Sequence, residues 1–257
     1  MELVNKALSD QLLWPRFDKH WPFLRGQILH KKVAFAATNY SPGLFEMGYQ
    51  GEKSFRYFNF PLSPAIQVSQ PEKQAAFLAG RLCAHQLLFD FAVHHDYLES
   101  DVQSRPIWPK SVVGAIAHSY PYSLAVLANA KDYLSIGLAI KGVIRADLKS
   151  HLEQSILSEE EKRVVGYSIE TLTLIYCVKS SFIHALSPLI KGNVYFDDVK
   201  VVEIDWQNGE AKLELNRDLT NLWAKGERLE AQFDYYQAKL ISMIVVPKPA
   251  NLHSLFN

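Results

Sequence analysis

The apolar positions along this chain change their period several times, and each change marks an element. Val33 to Thr38 is a nearly unbroken apolar run that stops at Asn39-Tyr40-Ser41-Pro42-Gly43, the signature of a buried strand ending in a turn. Residues 49–70 lose the pattern and carry Pro61 and Pro64, so a loop-rich segment is expected. Gln70-Pro71-Glu72 then opens a helix, with proline and an acid in its first turn. Ala76, Leu78, Ala79, Leu82, Cys83, Leu87 and Leu88 form a broad apolar stripe that runs to about Phe91. The step Ala79-Gly80 leaves room for another backbone to come close.

Arg105-Pro106-Ile107-Trp108-Pro109 reads as an extended, proline-stiffened segment. Gly114–His118 and Ser123–Ala128 read as strands joined at Ser119-Tyr120-Pro121-Tyr122, and Leu134–Ile140 reads as another. Asp132-Tyr133 breaks the run, which places a boundary between an N-terminal half, 1–131, and a C-terminal half, 132–257. The second half begins with a helix around 146–154, followed by Ser158 as an N-cap with Glu161 completing a capping box. Thr171–Leu189 is a long helix broken late by Pro188. Strand-like runs follow at 199–206, 210–216, 228–235 and 239–246, with Asn208-Gly209 as a hairpin turn. Helices set beside antiparallel strands in each half predict the α+β class.

Composition narrows the picture by exclusion. The chain has 257 residues, 48% hydrophobic and 21% charged, which is ordinary for a globular protein with a real core. Its 27 basic and 27 acidic side chains balance, so no global field draws it to nucleic acid or to an anionic membrane, and any phosphate site must be local. Cys83 and Cys177 form no metal-ligand cluster. The first residues lack the long apolar run of a secretory signal, and no stretch suits a membrane helix. A cytoplasmic protein is expected.

Four segments, taken in order, resemble the surfactin-type 4′-phosphopantetheinyl transferases, and most closely their enterobactin-synthase component D branch. Phe77–Ala84 looks like the family helix with an Ala-Gly-Arg step. Arg105–Pro109 with Gly114–His118 looks like its substrate loop and Ser-Ile-Ser-His segment. Ile136–Lys141 sits where the family has Gly-Ile-Asp-Ile-Glu, and Tyr176–Ala185 sits where it has a Lys-Glu-Ser-Phe-Ile-Lys-like helix. Leu157–Val164 also matches in place. The resemblance implies two similar α/β halves related by pseudo-twofold symmetry, with coenzyme A in the cleft between them. It implies transfer of the phosphopantetheine arm to a serine of an acyl or peptidyl carrier protein, with Mg²⁺ on the pyrophosphate. It further implies a place in non-ribosomal peptide, polyketide or siderophore synthesis.

Negative charge builds on the pyrophosphate in such a transfer, and a metal ion or fixed cations must meet it. Mg²⁺ takes oxygen ligands, chiefly carboxylates, phosphate and water. The three family acids fall here on Ala139, Lys141 and Ser180: a methyl, an ammonium and a hydroxyl. No Asp or Glu lies between Leu134 and Gly142 to replace them. The last lysine of the helix motif is His184, and the second serine of the strand motif is Ala117. By resemblance, Arg81, His118 and Lys179 remain as coenzyme A contacts, with Lys179 on the pyrophosphate.

Each of these residues also has a plainer reading. Arg81 would be a surface or interdomain ion-pair residue, His118 a structural histidine and Trp108 a loop anchor. Lys179 would snorkel to solvent, and Lys141 would be a surface residue released from metal duty. Glu159–Glu161 would be a solvated helix start. The expectation is a degenerate transferase that lacks ordinary Mg²⁺-dependent transfer but binds coenzyme A or a carrier protein. Two alternatives stand beside it. One is a metal-independent coenzyme A-dependent transferase using Lys141, Lys179 and His184. The other is a structural partner in a biosynthetic assembly.

Overall fold

The computed structural model describes residues 18, 19, 32–41, 62–94, 97–165, 168–220 and 222–249. The chain divides into two units. Described residues of the first fall within Ala34–Pro109 and Ile116–Leu127, with Asp18 and Lys19; those of the second fall within Lys110–Ala115 and Ala128–Asn257, with Lys32 and Val33.

The first unit holds most of a three-stranded sheet in the order β1-β3-β2, where β1 is Val33–Asn39, β2 Val112–Ser119 and β3 Tyr122–Asn129. A short helix, α1 (Pro64–Gln67), occupies part of the expected loop, and α2 spans Pro71–Asp90 with Pro71 in its first turn. All seven stripe residues of α2 are buried. Ser123 on β3 donates from Oγ to the Ala76 carbonyl at 3.0 Å, pinning the helix to the sheet. At Gly80 the neighbour is a side chain rather than the backbone expected: a Cβ there would lie 2.5 Å from Ile116 Cγ2.

The second unit carries a five-stranded antiparallel sheet in the order β4-β8-β7-β6-β5. Its strands are β4 Tyr133–Lys141, β5 Val199–Asp205, β6 Glu210–Leu215, β7 Arg228–Tyr236 and β8 Lys239–Pro247. A 3₁₀ turn at Ala146–Leu148 leads into α3 (Lys149–Ile156), then α4 (Glu159–Val165) and α5 (Ile169–Leu186). The Ser168 hydroxyl caps α5 by accepting from the Thr171 amide at 2.9 Å, and the helix stops before Pro188. The turn between β5 and β6 is organised by Asp205, whose carboxylate accepts from the Gln207 and Asn208 amides, and Gly209 takes φ of 70°. Leu174, Ile175, Cys177, Val178, Phe182 and Ala185 of α5 pack with Val199, Leu213, Ala231, Leu240 and Ile244 of the sheet as one core. These elements make an α+β protein with antiparallel sheets.

Close approach of α5 to β4 is a backbone requirement. A Cβ on Gly137 would fall 1.8 Å from the Ser181 carbonyl oxygen and 2.6 Å from the Ala185 nitrogen, so only glycine fits. On the same β4 face, Ser135 Oγ donates to the Ala185 carbonyl. Ser181 and Ser242 share a hydroxyl contact of 2.9 Å beneath the helix.

Candidate functional site

In the first unit, Arg81 is only 2% exposed, which corrects its reading as a surface residue, and it forms no ion pair among the described residues. Its Nη2 donates to Ser100 Oγ at 2.8 Å and to the Ser104 carbonyl at 3.2 Å, while Nε and Nη1 have no hydrogen-bond partner. The guanidinium lies 4.8 Å from the Phe77 ring centroid, one helical turn back. Burial, only partly offset by Asp101, pushes its pKa down to about 10. A buried cation with two idle donor nitrogens is costly unless an anion completes it.

The turn that meets Arg81 was not evident from the sequence. Asp101 Oδ1 accepts from the Gln103 and Arg105 amides, each at 2.9 Å, and Oδ2 accepts from Arg105 Nε at 2.7 Å. Burial opposes ionisation of Asp101, but these donors win and hold its pKa below the usual carboxylate value. The turn presents Ser100 and Ser104 to Arg81, and Ser104 Oγ also meets Ser63 Oγ at 2.6 Å. The signal was the Asp101/Arg105 pair, four apart and next to the proline segment. An open pocket of about 410 Å³ lies against this turn, with Glu99 and Asp101 among its lining, which makes it a poor seat for an anion. His118 is exposed on β2, while the Arg81 guanidinium is buried under the turn. Trp108 is half-buried.

In the second unit, Lys179 does not snorkel, which corrects its plainer reading. It is 1% exposed, and its ammonium donates to Glu161 Oε2 at 2.8 Å and to the Ile156 carbonyl at 2.7 Å. Glu161 is also 1% exposed and so is not solvated. Its Oε2 accepts from the Ser158 amide at 2.8 Å, closing the capping box with the 3.2 Å bond from the Glu161 amide to Ser158 Oγ. Its Oε1 accepts from the Val201 amide at 2.8 Å, on the outer edge of β5. One ion pair thus ties the end of α3, the start of α4, the middle of α5 and the edge of β5. Burial lowers the Lys179 pKa, and Glu161 opposes that shift.

The positions matched to metal ligands lie on β4 and α5. Ala139 is 5% exposed, in the helix–sheet core. Lys141 is half-buried at the end of β4, its ammonium 5.0 Å from the Tyr176 ring centroid. That ammonium also lies near the buried thiol of Cys177, which burial pushes up to about 12 against its pull. Tyr176, Ser180 and His184 are spaced one turn apart on the more exposed side of α5. His184 Nδ1 donates to the Leu138 carbonyl at 2.7 Å, on the edge of β4. Its Nε2 therefore points away, an acceptor when the ring is neutral and a donor when it is protonated. A methyl cannot ligate Mg²⁺, an ammonium repels it, and a serine hydroxyl is a weak neutral ligand at best, so the three positions do not make a carboxylate site for it. Among the described residues no group of three or more His, Cys, Asp or Glu side chains gathers in metal-binding range. Also among them, no helix is long and apolar enough to cross a membrane.

Comparison with known proteins bears on this arrangement. Residues 63–128, which contain α2, the Asp101 turn, β2 and most of β3, match the 4′-phosphopantetheinyl transferase N-terminal domain. Enterobactin synthase component D of Salmonella typhimurium is 28% identical over 120 residues, covering 45% of this chain and 49% of that protein. The Salmonella typhi protein of the same name is 25% identical over 138 residues, covering 52% and 56%. The 4′-phosphopantetheinyl transferase Npt of Nocardia iowensis is 23% identical over 139 residues, covering 53% and 62%. The chain thus spans about half the length of the curated relatives it matches. With the motif order and the α+β fold, these matches support the chain as a member of the 4′-phosphopantetheinyl transferase family.

Proposed function

We propose that this protein is a degenerate 4′-phosphopantetheinyl transferase homologue that binds coenzyme A without supporting ordinary Mg²⁺-dependent transfer to a carrier protein. The observation that carries the reading is the β4–α5 face, where Ala139, Lys141 and Ser180 stand in the acid positions and Ala139 is sealed in the core. Retention of a ligand is supported by Arg81, whose two idle buried nitrogens call for an anion such as a phosphate. His118 is the second phosphate contact in this reading. A phosphate contact at Lys179, in the second unit, requires it to exchange Glu161 and the Ile156 carbonyl for phosphate oxygen.

The pseudo-twofold repeat belongs to the same reading, supported by a long helix packed on a sheet in each unit. So do an acyl or peptidyl carrier protein as partner, a role in secondary-metabolite or siderophore synthesis, and a cytoplasmic setting. The deciding measurement is calorimetric titration of coenzyme A with Mg²⁺ and with chelator, paired with a carrier-protein modification assay. Binding that ignores the chelator, with no carrier modification, is the expected result. Efficient Mg²⁺-dependent modification would sink the proposal. A second reading, active metal-independent transfer, is supported by one observation: the Lys141 ammonium, at a position where the resemblance has an acid, lies 5.0 Å from the Tyr176 ring centroid. In that case, modification would persist in chelator and fall with Lys141→Ala.

A further inference from the structure

The open pocket of the first unit lies outside every motif segment that carries the family resemblance. Its volume of about 410 Å³ suits a small organic molecule, and its lining comes from two stretches of chain, 62–64 and 97–102. Both stretches are held in place. Leu62 and Tyr97 pack against the buried cluster that includes Ala75, Ala76 and Leu78 of α2. The second stretch is one arm of a hairpin, closed by bonds from the Asp101 amide to the Arg105 carbonyl and from the Ile107 amide to the Glu99 carbonyl, each 2.9 Å. The 2.6 Å contact between Ser63 and Ser104 hydroxyls ties that hairpin to the start of α1. The cavity is therefore formed before any ligand arrives.

Its chemistry is uneven. Leu62, Pro64, Tyr97 and Val102 give it apolar surface, and Val102 is 96% exposed at the hairpin tip. Two carboxylates line it, but they are not equivalent. Asp101 is taken by the Gln103 and Arg105 amides and by Arg105 Nε. Glu99 is exposed, and its carboxylate has no hydrogen bond or ion pair among the described residues. Ser100 Oγ accepts from Arg81 Nη2 at 2.8 Å, which leaves its own proton to donate and polarises that hydroxyl. Arg81 itself is not part of the lining.

We propose that this pocket binds a small aliphatic ammonium ion that also carries a carbonyl oxygen. Glu99 pairs with the ammonium, Ser100 donates to the carbonyl, and the alkyl chain covers Leu62, Tyr97 and Val102. Carboxylate repulsion disfavours an anion here, and a wholly apolar ligand would leave the Ser100 proton without an acceptor. The proposal is independent of the coenzyme A reading and stands whether or not coenzyme A binds.

The test is an NMR titration of the full chain at neutral pH with two probes, 5-aminopentanamide and pentanamide, which differ only in the ammonium group. The aminoamide should shift the Glu99 and Ser100 amide signals and bind about fivefold more tightly than pentanamide, the range of an exposed ion pair. Glu99→Gln should abolish that preference at unchanged melting temperature, because Glu99 is exposed. No binding of the aminoamide, equal affinity for the two probes, or a preference that survives Glu99→Gln overturns the proposal. A third probe, n-pentylammonium, lacks the carbonyl and should bind more weakly than the aminoamide. Equal affinity of those two ammonium ions would remove Ser100, and the carbonyl with it, from the site.

Discussion

A single carboxylate shows how much can rest on one residue. Glu161 accepts from Lys179 and from the Ser158 and Val201 amides, all without solvent. Removing one partner of such a buried pair strands the other, at a cost of about 3–5 kcal/mol. Glu161→Gln should lower unfolding free energy by that order in urea titrations. The loss should shrink as pH rises. Burial already holds the folded Lys179 pKa below its ordinary 10.5, and without Glu161 it drops further. The unfolded chain then binds the extra proton, so stability climbs with pH up to the ordinary lysine value. A profile that is flat from neutral to alkaline pH would contradict this account. Arg81 makes the opposite case. Its guanidinium is buried with two nitrogens idle, so Arg81→Met should leave stability unchanged or raise it by about 1 kcal/mol. The same substitution should weaken coenzyme A binding at least tenfold. A large loss of stability in Arg81→Met would show that the arginine serves the fold.

At the scale of elements, the α5–β4 contact sets the architecture of the second unit. Gly137→Ala would drive a Cβ into the Ser181 carbonyl, so helix and strand must separate, at a cost on the order of 3 kcal/mol. Gly80→Ala meets only the Ile116 side chain, which can turn aside, so thermal melts should show a much smaller loss. The element plan was legible in the sequence because its signals are local. Pro71 marks the start of α2, Ser158 and Glu161 form the expected cap, and alternating positions mark β5 to β8. The site was legible only by analogy. The partners of Arg81 lie 19 and 23 residues away, and those of Lys179 lie 18 and 23 away, beyond the reach of any periodicity. For the same reason Lys179 looks solvent-bound in sequence and is among the most buried side chains in the structure.

For the molecule as a whole, the proposed absence of Mg²⁺-dependent chemistry can be tested by putting the acids back. The triple variant Ala139→Asp, Lys141→Glu, Ser180→Glu returns acids to the family positions. It should make coenzyme A binding respond to Mg²⁺, seen as tighter binding in Mg²⁺ than in chelator. It should also melt lower than wild type, because the carboxylate replacing the Ala139 methyl would enter a site that is 5% exposed. Identical binding in both conditions would mean that the β4–α5 face does not meet the diphosphate.

The two outer strands of the five-stranded sheet share a feature with a consequence for solution behaviour. Glu161 occupies the Val201 amide on the β5 edge, and His184 occupies the Leu138 carbonyl on the β4 edge. Unpaired edge groups are templates for strand addition by other chains. These two side chains therefore act as stoppers against aggregation. Glu161→Ala, which leaves the Val201 amide without its acceptor, should form light-scattering assemblies at concentrations where another strongly destabilised variant, such as Gly137→Ala, stays clear.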